Sequence, residues 1–348
     1  MDIKEIKGKQ TSITDVARRA GVSVGTVSHA LNSVGYVKAE TRERVMKAVR
    51  ELNYVPNRAG RILKTRQTQL VMLAIPDTSN EIYFGMIESV QRVLKEHGYS
   101  LLLYYTNAME KEEIRALKLL QECMIDGLIL VHFNYTKALM DEIRRCNGPI
   151  VLLGMCNHKW AGKGFFFDTV SIDISLGIYN AVQHLIRAGH RKIGYLGGRR
   201  NVEVYDQRFA AYQRALEEAD IAYNAAYADW NDWTETGGYV STRKLLMQKD
   251  RPTAICASND LQGVGCWEAA RDMGLRIPRD LALVGTDNIN VMRVLGISSL
   301  KMQEDQMGET AASMLIGHLE GGATDFQDQY FRPELVVRDS SLYFESQG

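Results

Sequence analysis

The sequence predicts an α/β protein in which a small three-helix headpiece precedes a two-lobed body built on two doubly wound parallel sheets. Three observations carry that reading. Residues 1–66 show only helical periodicity and a basic charge surplus. From Leu70 onward, short apolar runs alternate with amphipathic helices, the pattern of parallel sheets covered on both faces. The chain is 348 residues long, whereas a single core rarely grows beyond ~250–300 residues, and the strand candidates are too many for one open sheet.

In the headpiece, Ser12 stands three residues before Asp15, a capping-box spacing that opens a helix from Ile13 to Ala20 with Val16, Ala17 and Ala20 on one face. Gly21 ends it. Ser23 then caps a second helix, Val24 to Leu31, whose Val27, Ala30 and Leu31 face inward and which Asn32 closes. A third helix, from about Lys38 to Asn53, places Val45, Val49 and Leu52 at helical spacing, with Arg42, Arg44, Lys47 and Arg50 largely elsewhere. Two short helices joined by a glycine turn, with a third closing the core, form a helix-turn-helix of the DNA-binding kind.

The body offers candidate strands at Leu70–Ile75, Ser100–Tyr105, Gly127–Val131, Pro149–Leu153, Lys192–Leu196, Thr253–Ala257 and Leu281–Gly285. Between them, helices are expected at Phe84–His97, Glu110–Glu122, Ile174–Ala188, Arg208–Ala219, Thr236–Leu246 and Leu261–Met273.

Composition narrows the class. With 45% hydrophobic and 24% charged residues the chain reads as globular. No apolar run approaches the ~20 residues of a membrane span, and Met1-Asp2-Ile3-Lys4 opens no export signal, so a cytoplasmic location and no membrane partner are expected. Five cysteines (Cys123, Cys146, Cys156, Cys256, Cys266) lack zinc-pair spacing and read as free thiols; no metal and no cofactor are expected. The net charge of zero hides an asymmetry, because residues 1–66 hold fourteen Lys or Arg against six Asp or Glu. A basic head on an acidic body implies that the head alone meets a polyanion.

The run Ile13-Thr14-Asp15-Val16-Ala17, Ala20-Gly21-Val22-Ser23, Thr26-Val27-Ser28 and Leu31-Asn32, followed by Thr41-Arg42, Val45 and Leu52-Asn53-Tyr54-Val55-Pro56-Asn57, closely resembles the headpiece of the lactose/galactose repressor (LacI/GalR) family. Asp126-Gly127-Leu128-Ile129, Gly189-His190-Arg191-Lys192-Ile193-Gly194, Arg251-Pro252-Thr253-Ala254-Ile255 and Val284-Gly285-Thr286-Asp287-Asn288 are similar to landmarks of that family's body. So many positions at fixed spacing carry more weight than any single short motif, and the resemblance covers nearly the whole chain. It implies a transcription regulator, most often a repressor, that binds double-stranded operator DNA as a homodimer and answers to a small-molecule effector held in a periplasmic-binding-protein-like domain. The implied layout is a headpiece at 1–56, a hinge at 57–66, and an effector and dimerisation domain at 67–348. Three crossings near residues 171, 298 and 328 would give lobe 1 residues 67–171 and 299–328, and lobe 2 residues 172–298 and 329–348.

By position on the second helix, Val24, Gly25 and His29 face base edges, while Ser12, Ser23, Thr26, Ser28 and Asn32 are placed for phosphates. His29 replaces the family's usual Arg, and Val24-Gly25 offers no hydrogen-bonding side chain, so shape and apolar contact carry more of the specificity. The segment from Pro56 to Lys64 resembles the family hinge. Asn57 is its cap, Gly60 weakens it by ~1 kcal/mol relative to Ala, and Leu63 matches the leucine that the family wedges into the minor groove.

Ligands of doubly wound domains sit beyond the carboxyl ends of the strands. Asp77, Tyr83, Phe84, Asp173, Asp260 and Asp287 follow predicted strands or crossings and are candidate effector contacts. Arg208 matches a family arginine that commonly contacts effector; its fork suits a carboxylate or paired hydroxyls. Trp233, with Trp230, suits stacking on a sugar or heterocycle, or equally a place in the core; Asp260 and Asp287 suit helix caps equally well. Thr286, Ala211, Gly154 and Gln303 depart from the family where an aromatic, a glycine, an acidic residue and a proline are usual. A sugar or sugar phosphate leads as effector, a purine-like co-repressor comes second, and a protein partner is a further alternative. An α/β enzyme is the remaining class, against which stands the lack of a Gly-x-Gly-x-x-Gly after the first strand, a Gly-x-Ser-x-Gly elbow or a His-Glu-x-x-His.

Overall fold

The computed structural model describes residues 11–32, 36–55, 67–133, 135–155, 167–198, 202–322 and 325–342. The chain divides into two units, the first ending at Gln67 and the second beginning at Thr68.

The first unit holds helices α1 (Ile13–Ala20), α2 (Val24–Asn32) and α3 (Ala39–Glu51). The capping box forms: the Ser12 hydroxyl accepts from the Asp15 N–H, and the Asp15 carboxylate accepts from the Ser12 N–H at 3.0 Å. Gly21 ends α1 at φ 65°, ψ 40°, a left-handed conformation that only glycine adopts cheaply. The Ser23 hydroxyl accepts from the Thr26 N–H at 3.1 Å. Helix α2 runs through Asn32, one residue beyond the expected close. Val16, Ala17, Ala20, Val27, Ala30, Val45 and Ala48 form the core, with Leu31, Val49, Leu52 and Tyr54 packed against it. An Arg19–Glu51 ion pair at 2.6 Å ties α1 to the end of α3.

The second unit contains two six-stranded sheets. In chain order its strands are β1 (Leu70–Ile75), β2 (Ser100–Tyr105), β3 (Gly127–His132), β4 (Ile150–Met155), β5 (Asp168–Ile172), β6 (Ile193–Gly197), β7 (Ala228–Trp230), β8 (Ala254–Ala257), β9 (Ala282–Asp287), β10 (Ser298–Lys301), β11 (Asp328–Phe331) and β12 (Glu334–Val336). Its helices are α4 (Ile82–Glu96), α5 (Glu110–Gln121), α6 (Lys137–Ile143), α7 (Ile174–Arg187), α8 (Glu203–Glu217), α9 (Glu235–Leu246), α10 (Asp260–Asp272), α11 (Asn290–Val294) and α12 (Glu304–Leu319). Sheet order is β11-β5-β4-β3-β1-β2 in one lobe and β12-β10-β9-β8-β6-β7 in the other. All pairings are parallel except β10 with β12. The central strands β1 and β3 of one lobe and β8 and β9 of the other are buried almost throughout, which is why they read as continuous apolar runs.

The chain passes between the lobes three times, and two passages lie later than expected. Strand β10 pairs with β9, so residues 299–301 belong to the second lobe and the crossing follows Lys301. Strand β11 pairs with β5, so residues 329–331 belong to the first lobe and the crossing follows Phe331. In both cases the ladder holds the chain to the last hydrogen-bonded residue before release. The first crossing falls between Ile172, which pairs with Met155, and α7. Helix α12 returns to the first lobe and packs closely on α4. Gly308 permits this approach, because a Cβ there would stand 2.5 Å from Ser89 Oγ and 2.9 Å from the Met86 carbonyl oxygen. No helix among the described residues is long and apolar enough to cross a membrane.

Candidate functional site

Two sites follow from these units. On the first, Ser12, Ser23, Val24, Gly25 and His29 are exposed and Thr26 and Ser28 are half-buried, while their neighbours Val27 and Ala30 fill the core. The 3.6-residue period of α2 thus keeps Gly25 and His29, four apart, on one solvent face. Asn32 is the last residue of the helix. Asn57 and Leu63, like the rest of the 57–66 hinge, lie outside the described residues.

On the second, a cavity of about 410 Å³ opens between the lobes at the carboxyl ends of their strands. The first lobe contributes Asp77 after β1, Asn80 and Tyr83 at the start of α4, Tyr105 and Asn107 after β2, Phe133 after β3, and Gly154 in β4. The second contributes Tyr205 and Arg208 from α8, Asp232 and Trp233 after β7, Asn259 after β8, and Asp287 at the end of β9. Met302 and Glu304 come from the crossing between β10 and α12.

Arg208 is 5% exposed. Its Nη1 donates to the Ser258 carbonyl, its guanidinium lies 4.4 Å from the centre of the Trp233 ring, and its Nε makes no hydrogen bond. Trp233 is held in turn by its indole N–H, which donates to Ser258 Oγ at 2.9 Å, and by Tyr205, whose ring centre is 4.2 Å away. Gly197 and Gly198 make room for the two indoles: a Cβ on Gly197 would fall 2.9 Å from Trp230, and one on Gly198 would fall 2.6 Å from Trp233 Nε1. The Gly197-Gly198 pair therefore has a packing role. Trp230 packs edge-on against Phe209 and does not line the cavity.

Asp287 takes φ 121°, a region that non-glycine residues occupy only when their surroundings enforce it. The loop that follows it is held by Asp260. This residue is fully buried behind the cavity, and its carboxylate accepts from the Ile289 N–H at 2.9 Å and from Ser299 Oγ at 2.7 Å. Burial pushes the Asp260 carboxyl up to about 7 against the pull of those donors. Burial and the nearby Asp260 also hold Asp287 well above the usual carboxylate range, opposed by Arg208 and by a hydrogen bond from Asn80. A second link between the lobes joins Asn290 Nδ2 to Glu81 Oε1 at 2.8 Å.

Of the expected effector contacts, Asp77, Tyr83, Arg208, Trp233 and Asp287 are brought together in the cavity lining, and Phe84, Asp173 and Asp260 are not. Phe84 is 55% exposed, because one helical step beyond Tyr83 turns it about 100° away. Asp173 caps α7 by accepting from the Leu176 N–H at 2.9 Å. Asp260 holds the loop that aims Asp287, while Asn259 caps α10 through the Gln262 N–H. Asn80, Tyr105, Asn107, Phe133, Tyr205, Asp232 and Glu304 were not anticipated. Asn80, shortly after a predicted strand like Asp77, and Tyr105, the last residue of one, were findable on that ground. Phe133 and Glu304 were not, since their places depend on how the lobes meet.

A helix-turn-helix unit on the same chain as two doubly wound lobes that share a cavity of mixed polar and apolar lining defines a ligand-responsive DNA-binding regulator. Residues 12–57 match the bacterial regulatory proteins of the lacI family, and residues 182–341 match a periplasmic binding protein-like domain. The chain is 31% identical over 331 residues to the ribose operon repressor of Haemophilus influenzae, spanning 94% of this chain and 98% of that protein. It is 32% identical over 336 residues to the transcriptional repressor PurR of Escherichia coli O1:K1, spanning 94% and 96%. Among solved structures, the lac repressor dimer bound to operator and the anti-inducer ONPF superposes with a TM-score of 0.81 at 25% identity, covering 96% of this chain and 100% of that one. The complex of the regulator CelR with cellobiose gives 0.70 at 28%, covering 95% and 99%. The chain belongs to the LacI family of bacterial regulatory proteins, and is a DNA-binding transcription regulator with a periplasmic-binding-protein-like effector domain.

Proposed function

We propose that this regulator is a cytoplasmic repressor, without enzymatic activity, that binds a near-palindromic operator as a homodimer and is controlled by a sugar or sugar phosphate held between the lobes. The observation that carries the effector reading is the cavity itself, in which one charged fork on an indole faces several hydrogen-bonding groups across about 410 Å³. That volume suits a mono- or disaccharide. Carboxylates and amides opposed to a guanidinium are the groups that read the hydroxyls of a ring. Ser12, Ser23, Thr26, Ser28 and Asn32 would hold phosphates, and Val24, Gly25 and His29 would face bases. The hinge, with Asn57 and Leu63, would enter the minor groove.

A purine base is the second reading, favoured by the rings of Tyr83, Tyr105, Phe133, Tyr205 and Trp233 around one cavity. Melting the purified chain with ribose, cellobiose, guanine and hypoxanthine separates the two, since a ligand that binds only the folded state raises the melting temperature by mass action. A shift with a sugar and none with the bases supports the first reading; the reverse supports the second.

A further inference from the structure

Glu304 is the first residue of α12 and follows Gln303, whose φ of 56° turns the chain out of the crossing. Its side chain lies over Gly85 of α4, with Cγ 3.5 Å from where a Cβ would stand, and lines the cavity. Its Oε2 is fully buried and makes no hydrogen bond. A carboxylate in the first turn of a helix is ordinary when it faces solvent. An enclosed carboxylate oxygen without a donor costs free energy that a ligand donor would restore. Arg208, buried at 5% exposure with a free Nε, presents the complementary need for an acceptor. Among the described residues of the lining, Asp77, Asp232, Asp287 and Glu304 stand against one cation, Arg208. Burial holds the Glu304 carboxyl above its ordinary range, against a hydrogen bond from its own backbone N–H and the charge of Lys301, with Asp305 adding to the rise.

We infer that Glu304 is a specificity-determining residue of this cavity, one that accepts a hydrogen bond from a hydroxyl or ammonium group of the ligand and disfavours phosphorylated or carboxylated ligands of the same shape. The inference rests on the sugar reading above and removes sugar phosphates from it. A phosphate entering the cavity meets, among the described residues, one guanidinium already engaged with Ser258 and Trp233, and a set of carboxyl groups of which those that are ionised repel it. A neutral or amine-bearing sugar supplies Glu304 with its missing donor and Arg208 with an acceptor.

The test titrates the full-length chain, by calorimetry and tryptophan fluorescence, with ribose and ribose 5-phosphate, and with glucose, glucosamine and glucose 6-phosphate. Wild type, Glu304→Gln and Glu304→Leu are compared, with melting curves to establish that each is folded. For whichever sugar binds, the unphosphorylated form should bind at least ten-fold more tightly than its phosphate. Glu304→Gln, which keeps an acceptor and loses the charge, should hold the unphosphorylated sugar within about three-fold and narrow the gap. Glu304→Leu should lose it by ten-fold or more. Equal or tighter binding of the phosphorylated form overturns the inference while leaving the sugar reading intact, as does a gap unchanged in both variants. Silence from all five compounds and from cellobiose overturns the sugar reading, and this inference with it.

Discussion

Replacing Arg208 removes the one cation among the described residues of the cavity lining and should separate ligand binding from DNA binding. The guanidinium makes a charge-assisted hydrogen bond to the Ser258 carbonyl and stacks on Trp233. Its Nε is left for a ligand acceptor. A hydrogen bond to a charged group contributes ~1.5–3 kcal/mol, so Arg208→Ala should weaken effector binding roughly 10- to 100-fold. Arg208→Lys should recover only part of this, because an ammonium keeps the charge but cannot reproduce the planar fork or its stacking. The carboxyl of Asp287, held down in part by Arg208, should take up its proton at higher pH in the alanine variant. Calorimetry of the full chain with its sugar gives the affinity, and fluorescence anisotropy with operator DNA gives the second readout. Operator affinity without effector should stay within about three-fold, since Arg208 belongs to the second unit. Undiminished sugar affinity in Arg208→Ala would refute the reasoning and leave Arg208 as a tether for Ser258 and Trp233 alone.

Two further outcomes follow from buried groups elsewhere in the second unit. His132, at the end of β3, is 1% exposed, neither ring nitrogen makes a well-aligned hydrogen bond, and burial pushes it down to about 4. The unfolded chain therefore takes up this proton first, so the group's contribution is complete above the ordinary histidine range and is lost as pH falls towards 4, amounting to about 3 kcal/mol across the window. His132→Leu should be more stable than wild type by a margin that widens from pH 7 to pH 4.5 in denaturant titrations; a constant margin would show that the ring is protonated in the fold. Gly308→Val should destabilise by roughly 1–3 kcal/mol through overpacking, because the Met86 carbonyl beside it is backbone and cannot turn aside. A melting temperature equal to wild type would mean that α4 and α12 part without cost.

What the sequence disclosed, and what it withheld, follows from the range of the interactions concerned. The capping box at Ser12 and Asp15, the left-handed Gly21 and the buried strands β1 and β9 rest on contacts a few residues apart or on unbroken apolar runs, and all were legible. Strands β5, β7, β10, β11 and β12 were not named in advance, being short or, at the edges, partly exposed. The two late crossings depend on which strand each of β10 and β11 pairs with, and pairing across 159 residues, as between Thr169 and Asp328, leaves no local trace. In the cavity, Asp260 and Asp287 each follow a strand and are equivalent by sequence. Only the fold turns one inward to bind Ser299 and Ile289 and the other towards Arg208. Helix α12 went unnamed because its buried face mixes the small residues Gly308, Ala311 and Ala312 with Met307, Leu315 and Ile316, which dilutes the apolar contrast between its faces.

Occupancy of the cleft should change operator binding. The most direct measurement is the affinity of the full-length chain for a near-palindromic DNA, selected on it from a random pool, with and without the sugar that raises its melting temperature. Saturation of the cleft should be followed in parallel by tryptophan fluorescence. For a repressor released by its effector, operator affinity should fall at least ten-fold over the same concentrations that fill the cleft. Operator affinity that stays constant while the cleft fills would contradict the account.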